Sequence, residues 1–284
     1  MGNKADKSKL RAFFKRYRKR TASVFGLCVT FSFIFVALLA PFLAPFGLMD
    51  LSAAFQPPSS IHLLGTDSLG QDVLTCVIYG ARASLLVGIF AVLTSTIIGL
   101  IFGSISGFYG GRIDDILMRV TEVFQVLPRF FLAIIFVAFF GPSLWNIIII
   151  IGILTWPTTA RLLRAEFLAL NKREFVDAAR VMGMDDFRLI SNEILPNAIA
   201  PIIVNASLEI ASAILLEASL SFLGLGDPSM MSWGVMLHNS QEYFNRAWWM
   251  AVFPGTALFL TTLGLNLLGD GLNDALNPRL RGRI

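Results

Sequence analysis

No charged residue occurs between Arg82 and Arg112. A membrane-spanning helix takes about 20 mostly apolar residues, so this stretch holds one span. Comparable runs cover 22–46, 144–163, 196–225 and the segment from Trp248 to Leu268. Only 15% of the 284 residues are charged, against about 25% in a soluble domain. The chain is therefore expected to be an all-α polytopic membrane protein. Between Arg129 and Arg161 lie 31 uncharged residues, interrupted by Gly141–Pro142 and too few for two full spans. A third span is thus expected to begin near Ile113 and to carry Arg119, Glu122 and Arg129 in its inner half. Arg119 and Glu122 stand at i, i+3 and are expected to pair, and Pro128 to bend the helix. The total is six transmembrane helices.

Orientation follows from the cations. Residues 1–20 hold nine Lys or Arg. With six spans, 21 of the 23 Lys and Arg fall on the N-terminal side, and only Arg82 and Arg246 fall on the other. That asymmetry predicts N-in and C-in. The net charge of +4 is accounted for by this topogenic pattern and implies no nucleic acid. The length of the first apolar run argues against a cleaved signal. Cys28 and Cys76 are too far apart in the pattern to pair, and no Cys/His cluster suggests a metal.

The stretch 172–197, KREFVDAARVMGMDDFRLISNEILPN, is a charged island between apolar runs. Phe175, Ala178, Ala179 and Met182 fall at i, i+3, i+4, i+7, one face of a short helix. Glu174, Asp177 and Arg180 lie off that face. Gly183 stands where a helix ends through a left-handed residue. Asp185 and Asp186 can cap a second short helix, with Phe187, Ile190 and Ile194 on one side. Pro196 marks the entry to the next apolar run. Small Ala178 and Ala179 would let the first helix seat deeply in a groove of another protein.

DAARVMG followed by ILPN resembles the EAA loop of permease subunits from ABC importers, with Asp177 in place of the leading Glu. The resemblance implies that the loop 172–195 docks on an ATP-hydrolysing subunit through Glu174, Asp177, Ala178, Ala179, Gly183 and Pro196. Residues 65–88, GTDSLGQDVLTCVIYGARASLLVG, resemble the C-type permease of the dipeptide, oligopeptide and nickel importers, whose usual form is GTDxLGRDVxSRxxxGxRxSL. Gln71 replaces the family's Arg, and Thr75–Cys76 replaces Ser-Arg. EASLSFLGLG (217–226), PSMMSWGVML and NLLGDGLNDALNPRLRG extend the match to the C-terminus. A type I importer permease fold is implied. So are a homologous sister permease in a heterodimer, two ATP-binding subunits and an extracytoplasmic solute-binding protein, in the cytoplasmic (inner) membrane of a prokaryote. The expected organisation is a basic tail (1–20), a first helix with an outer segment (21–82), a five-helix core (83–273) containing the loop, and a C-terminal tail (274–284).

Gly65, Asp67, Gly70 and Asp72 read as a turn-rich, acidic outer lip, with calcium a weaker alternative. Glu209 and Glu217, eight residues apart, stand about 80° apart on a helix, so both can face the bundle interior. They are expected to serve either the pathway or packing. Ser219 and Ser221 with Gly224 and Gly226 suit close helix packing. His62 and His238 are expected at the surface, and Trp248 and Trp249 in an interfacial belt. No GxxxxGK[ST] stretch occurs and no nucleophile–base pair stands out, so ATP and magnesium are expected on partners and no cofactor in this chain. A secondary transporter would show repeated halves with paired ionisable groups, and a receptor would have no need of the docking loop. The resulting reading is an importer permease for peptides or a similar small solute, with a nickel complex or glutathione as alternative cargo.

Overall fold

A computed structural model describes residues 17–18 and 20–276. The two tails expected at 1–20 and 274–284 therefore lie almost wholly outside the described residues. Nine helices carry the architecture: α1 (Thr21–Leu38), α2 (Val73–Tyr109), α3 (Gly111–Val126), α4 (Arg129–Phe140), α5 (Leu144–Leu170), α6 (Glu174–Val181), α7 (Leu195–Leu220), α8 (Trp233–Ser240) and α9 (Trp249–Leu276). Five segments are long and apolar enough to cross a membrane: α1, α2, α5, α9 and the continuous stretch Asp186–Leu225 around α7. A sixth exists if α3 and α4 are taken together.

Taken together that pair is the expected third span, broken at Pro128. α3 and α4 meet at 83°. Leu127 and Pro128 are both in extended backbone between them. A proline strongly disfavours a helical conformation in the residue before it, so the chain stops its helix at Val126 and starts another. The expected Arg119–Glu122 pair does not form: both side chains are exposed, and none of the ion pairs among the described residues joins them.

The centre of the fold is the contact of α2 with α5. Gly99, Gly103 and Gly107 recur every fourth residue on α2, so they form one smooth stripe. A Cβ at these positions would lie 2.6 Å from Thr159 Cβ, 2.5 Å from the Ala160 carbonyl oxygen and 2.5 Å from Phe167 Cβ. Gly152 of α5 returns the contact against Thr94 and Ala91. The paired numbers rise together, so α2 and α5 run parallel, as a second and a fourth span must. α1 against α9 is antiparallel: Gly26 meets Leu267, and Gly271 meets Ser23. α7 crosses both halves, with Gly88 of α2 against Ile214 and Gly269 of α9 against Leu208. Without a hydrophobic drive between helices inside lipid, such close backbone approach supplies much of the packing energy.

The outer segment 44–72 folds back over the start of α2. His62 is 4% and Asp72 2% exposed, and His62 Nδ1 lies 3.0 Å from Asp72 Oδ1. Asp72 also caps α2, accepting from the Thr75 N–H at 2.8 Å. The expected surface histidine is thus a buried one. Trp249, expected at the interface, is also buried and donates from Nε1 to the Thr66 carbonyl at 3.0 Å. Trp248 stays half-exposed.

Candidate functional site

The loop after α5 is built on a small apolar core of its own. Val176 and Ala179 of α6 are buried together with Phe108, Leu163, Phe167, Leu189 and Ile194. The inward stripe of α6 is therefore Val176 and Ala179, so of the face expected to seat in another protein's groove Ala179 alone is turned inward. Ala179 packs within the chain. Ala178 is exposed, with Phe175 (39%), Val181 (89%) and Met182 (77%) around it. Glu174 and Asp177 are exposed in the first turn of α6, where carboxylates suit the positive end of the helix dipole.

Gly183 ends α6 at φ +79, and nothing lies within 4 Å of where its Cβ would be. Its N–H donates to the Arg180 carbonyl and that of Met184 to the Ala179 carbonyl, closing the turn. Asp185 accepts from the Arg188 N–H and so caps the next helical turn, as expected. That turn is no separate helix. It runs through a π-helical stretch, Leu189–Ile194, straight into α7. Pro196 follows the π-helical stretch inside this continuous helix, at the entry to the apolar run as expected. Phe187 points outward at 77% exposure, whereas Leu189 and Ile194 are buried.

Several polar contacts missed in the sequence fasten this loop to the spans. Arg180 bonds Asn171 and Asp177 and lies over the Phe108 ring at 5.8 Å. Asn171 in turn donates to the Phe108 carbonyl at 3.0 Å. Two turns deeper, Arg164 of α5 grips Asp114 of α3 through both carboxylate oxygens, and Ser106 of α2 bonds the same carboxylate. Bidentate Arg–carboxylate geometry is among the strongest polar contacts available. These contacts tie α6 to α2 and the end of α5, and tie α3 to both spans. No spacing rule brings Ser106, Asp114 and Arg164 together.

The outer lip is not an acidic rim. Gly65 and Gly70 turn the chain at φ +80 and +84. Asp67 accepts from the backbone N–H groups of Leu69 and Gln71. Burial pushes its carboxyl above the ordinary range, and these donors pull it back. Asp72 is consumed by His62 and the α2 cap. Asp67 through Oδ1 and Asp72 through both oxygens therefore shape a loop.

The two membrane-depth acids differ. Glu217 is 1% exposed, and its Oε1 accepts from Ser221 at 2.7 Å and Ser232 at 2.8 Å. Its Oε2 has no partner. Ser232 also caps α8, so Glu217 ties the end of α7 to the outer helix that follows. Gly226 lies against Ser221, with a Cβ 2.5 Å from its Oγ, in line with the close packing expected there. Glu217→Gln keeps an acceptor for both serines and should leave the amount of folded protein and solute uptake near wild type. Glu217→Ala strands two buried hydroxyls and should destabilise by about 1–3 kcal/mol, read as a lower thermal midpoint of the purified protein. Equal midpoints for Ala and Gln would remove the packing role. Glu209 is only half-buried, and its Oε2 accepts from Ser95 and Thr159, both at 3.4 Å.

Comparison with known proteins decides the family. Residues 99–282 match the binding-protein-dependent transport system inner membrane component, and residues 8–58 the N-terminal TM domain of oligopeptide transport permease C. The chain belongs to this family of importer permeases. The permease is 42% identical to the dipeptide transport system permease protein DppC of Alkalihalophilus pseudofirmus, over 95% of this chain and 90% of that one. It is 38% identical to the glutathione transport system permease protein GsiD of Pectobacterium atrosepticum, over 98% and 94%. Its fold resembles a chain of the inward-facing MetNI methionine ABC transporter, with a TM-score of 0.57 at 16% identity, covering 71% of the permease and 96% of that chain.

Proposed function

We propose that the permease is one membrane subunit of an ATP-driven importer of peptides in the inner membrane. Its partners in this reading are a homologous sister permease, two ATP-binding subunits and an external solute-binding protein. The observation that carries the reading is the tip of the 172–195 loop. Phe175, Ala178, Val181 and Met182 form an exposed apolar surface on an eight-residue helix. Unlike the spans, this helix belongs to the charged loop and has no lipid to face. A contiguous apolar surface in water marks a protein contact. Behind that surface, Val176 and Ala179 are locked to the ends of α2 and α5, so a push on the tip moves the spans as a unit. Alternating access then follows from switching between two packings of the helices.

Peptide cargo is supported by the dipeptide permease among the relatives, and the glutathione permease keeps a γ-linked tripeptide as the second reading. The test is uptake of a labelled dipeptide into vesicles holding the whole complex and the binding protein. Uptake should require ATP and persist when ion gradients are collapsed. Uptake that ignores ATP and stops with an ionophore would overturn the assignment. Competition by dipeptide against glutathione ranks the two cargos.

A further inference from the structure

Glu209 has surroundings that neither packing nor the coupling loop accounts for. It lies roughly 20 Å from the inner ends of α2, α5 and α7, counted at 1.5 Å per residue, near the middle of α5 and α7. Three spans contribute polar groups at this one level: Ser95 from α2, Thr158 and Thr159 from α5, Asn205 and Glu209 from α7. Ser95 and Thr159 donate to Glu209 Oε2 at 3.4 Å, and Asn205 Nδ2 donates to Thr159 Oγ1 at 3.3 Å. Arg129, the first residue of α4, donates to Thr158 at 3.1 Å, beside the Thr159 that bonds Glu209. Glu209, Arg129, Asn205 and Thr158 all keep some exposure.

A partly exposed acid and base at this depth do not face lipid, because intramembrane charges sit toward a bundle interior or a water-filled cavity. The backbone gives the same answer independently. The extended residues Leu127 and Pro128 lie immediately beside Arg129, and Val126–Pro128 are exposed. Non-helical backbone at membrane depth is tolerated only where protein buries it or water reaches it. The broken helix and the polar cluster therefore stand at one level of the bundle, joined by the Arg129–Thr158 hydrogen bond.

We propose that Glu209 is a transit subsite for a primary ammonium group, the N-terminal ammonium of the peptide, with Ser95, Thr159 and Asn205 orienting its carboxylate. The subsite rests on the peptide reading for the identity of the cargo but not for its chemistry. An ammonium is a compact, strongly hydrated charge, and a carboxylate at mid-depth replaces part of its lost hydration. Hydroxyl contacts at 3.4 Å are long for such bonds, which leaves Glu209 free to turn to an incoming donor.

The test uses the whole complex with Cys28 and Cys76 replaced by Ser and Asn205→Cys introduced. Two water-borne thiol reagents of similar size are compared, 2-aminoethyl methanethiosulfonate (cation) and 2-sulfonatoethyl methanethiosulfonate (anion). The cation should react about tenfold faster than the anion, relative to a free thiol, as about 1.4 kcal/mol of local attraction requires. Adding Glu209→Gln should erase that preference. In parallel, Glu209→Gln without the cysteine should lower uptake about tenfold at saturating binding protein, with the amount of complex unchanged, and Glu209→Asp should recover part of it. Glutamine keeps an acceptor for Ser95 and Thr159, so a packing role alone predicts full uptake. Absence of reaction with either reagent, an unchanged preference in Glu209→Gln, or full uptake by that variant would each overturn the subsite. If wild-type complex takes up no peptide but the cation preference appears and depends on Glu209, the peptide reading fails and the ammonium subsite stands.

Discussion

Ala178→Asp and Gly183→Val should each leave the permease inserted and folded, and each should abolish solute uptake. Ala178 is exposed on the outward face of α6, so an Asp there meets only water in the isolated chain. Under a docked ATPase the same carboxylate is buried without a partner, which costs several kcal/mol at an interface (about 3–5). Gly183 fails for a different reason. Its φ is +79 and the space around its Cβ position is open, so Val clashes with nothing. The left-handed backbone itself costs an L-residue about 1–2 kcal/mol, and a β-branched side chain more, so the turn reopens and α6 loses its seat. The measurement is recovery of the ATPase with tagged permease, beside uptake in the same cells. Full recovery with normal uptake in both variants would sink the docking assignment. Ala179→Asp is the informative contrast. That position is buried within the chain, so the variant should lower the amount of folded permease itself. Asp177→Glu keeps the acid in the first turn and should be nearly silent, whereas Asp177→Lys reverses a favourable charge at the helix start.

Gly103→Leu should have the largest effect on the protein itself, removing most of the folded permease from the membrane. A Cβ at Gly103 already lies 2.5 Å from the Ala160 carbonyl oxygen and 2.9 Å from Leu163 Cβ. Both atoms belong to the backbone or its root and cannot rotate away. The helices must separate, and overpacking of this kind typically costs about 1–3 kcal/mol, occasionally more. Separation at Gly103 also loosens Gly99 and Gly107, which share the stripe. Gly141→Leu is the control: no atom lies within 4 Å of its Cβ, although its φ of +88 adds backbone strain. Equal amounts of membrane-inserted, protease-resistant protein for Gly103→Leu and wild type would show that the α2–α5 contact is dispensable.

The sequence determined the apolar runs and the place of the charged loop between them. Apolar runs bounded by cations are read one residue at a time against the bilayer, and no knowledge of neighbours is needed. Gly183 and the Asp185 cap were legible for the same reason, since a positive φ and a helix start are local events. The Gly99–Gly103–Gly107 repeat drew no expectation from the sequence, because a four-residue glycine spacing does not name its partner helix. Spacing grouped Phe175, Ala178, Ala179 and Met182 on one face. Only the tertiary structure decided that α6 turns Val176 and Ala179 inward. An eight-residue helix offers several arcs of similar polarity, and the one that is buried is set by Phe108, Phe167 and Leu189. His62 with Asp72, Asp114 with Arg164, and Glu209 with Ser95 and Thr159 are decided the same way. Each pair lies across a folded loop or on separate helices. Helical periodicity states which residues share a face, and the packing of distant segments states what that face meets.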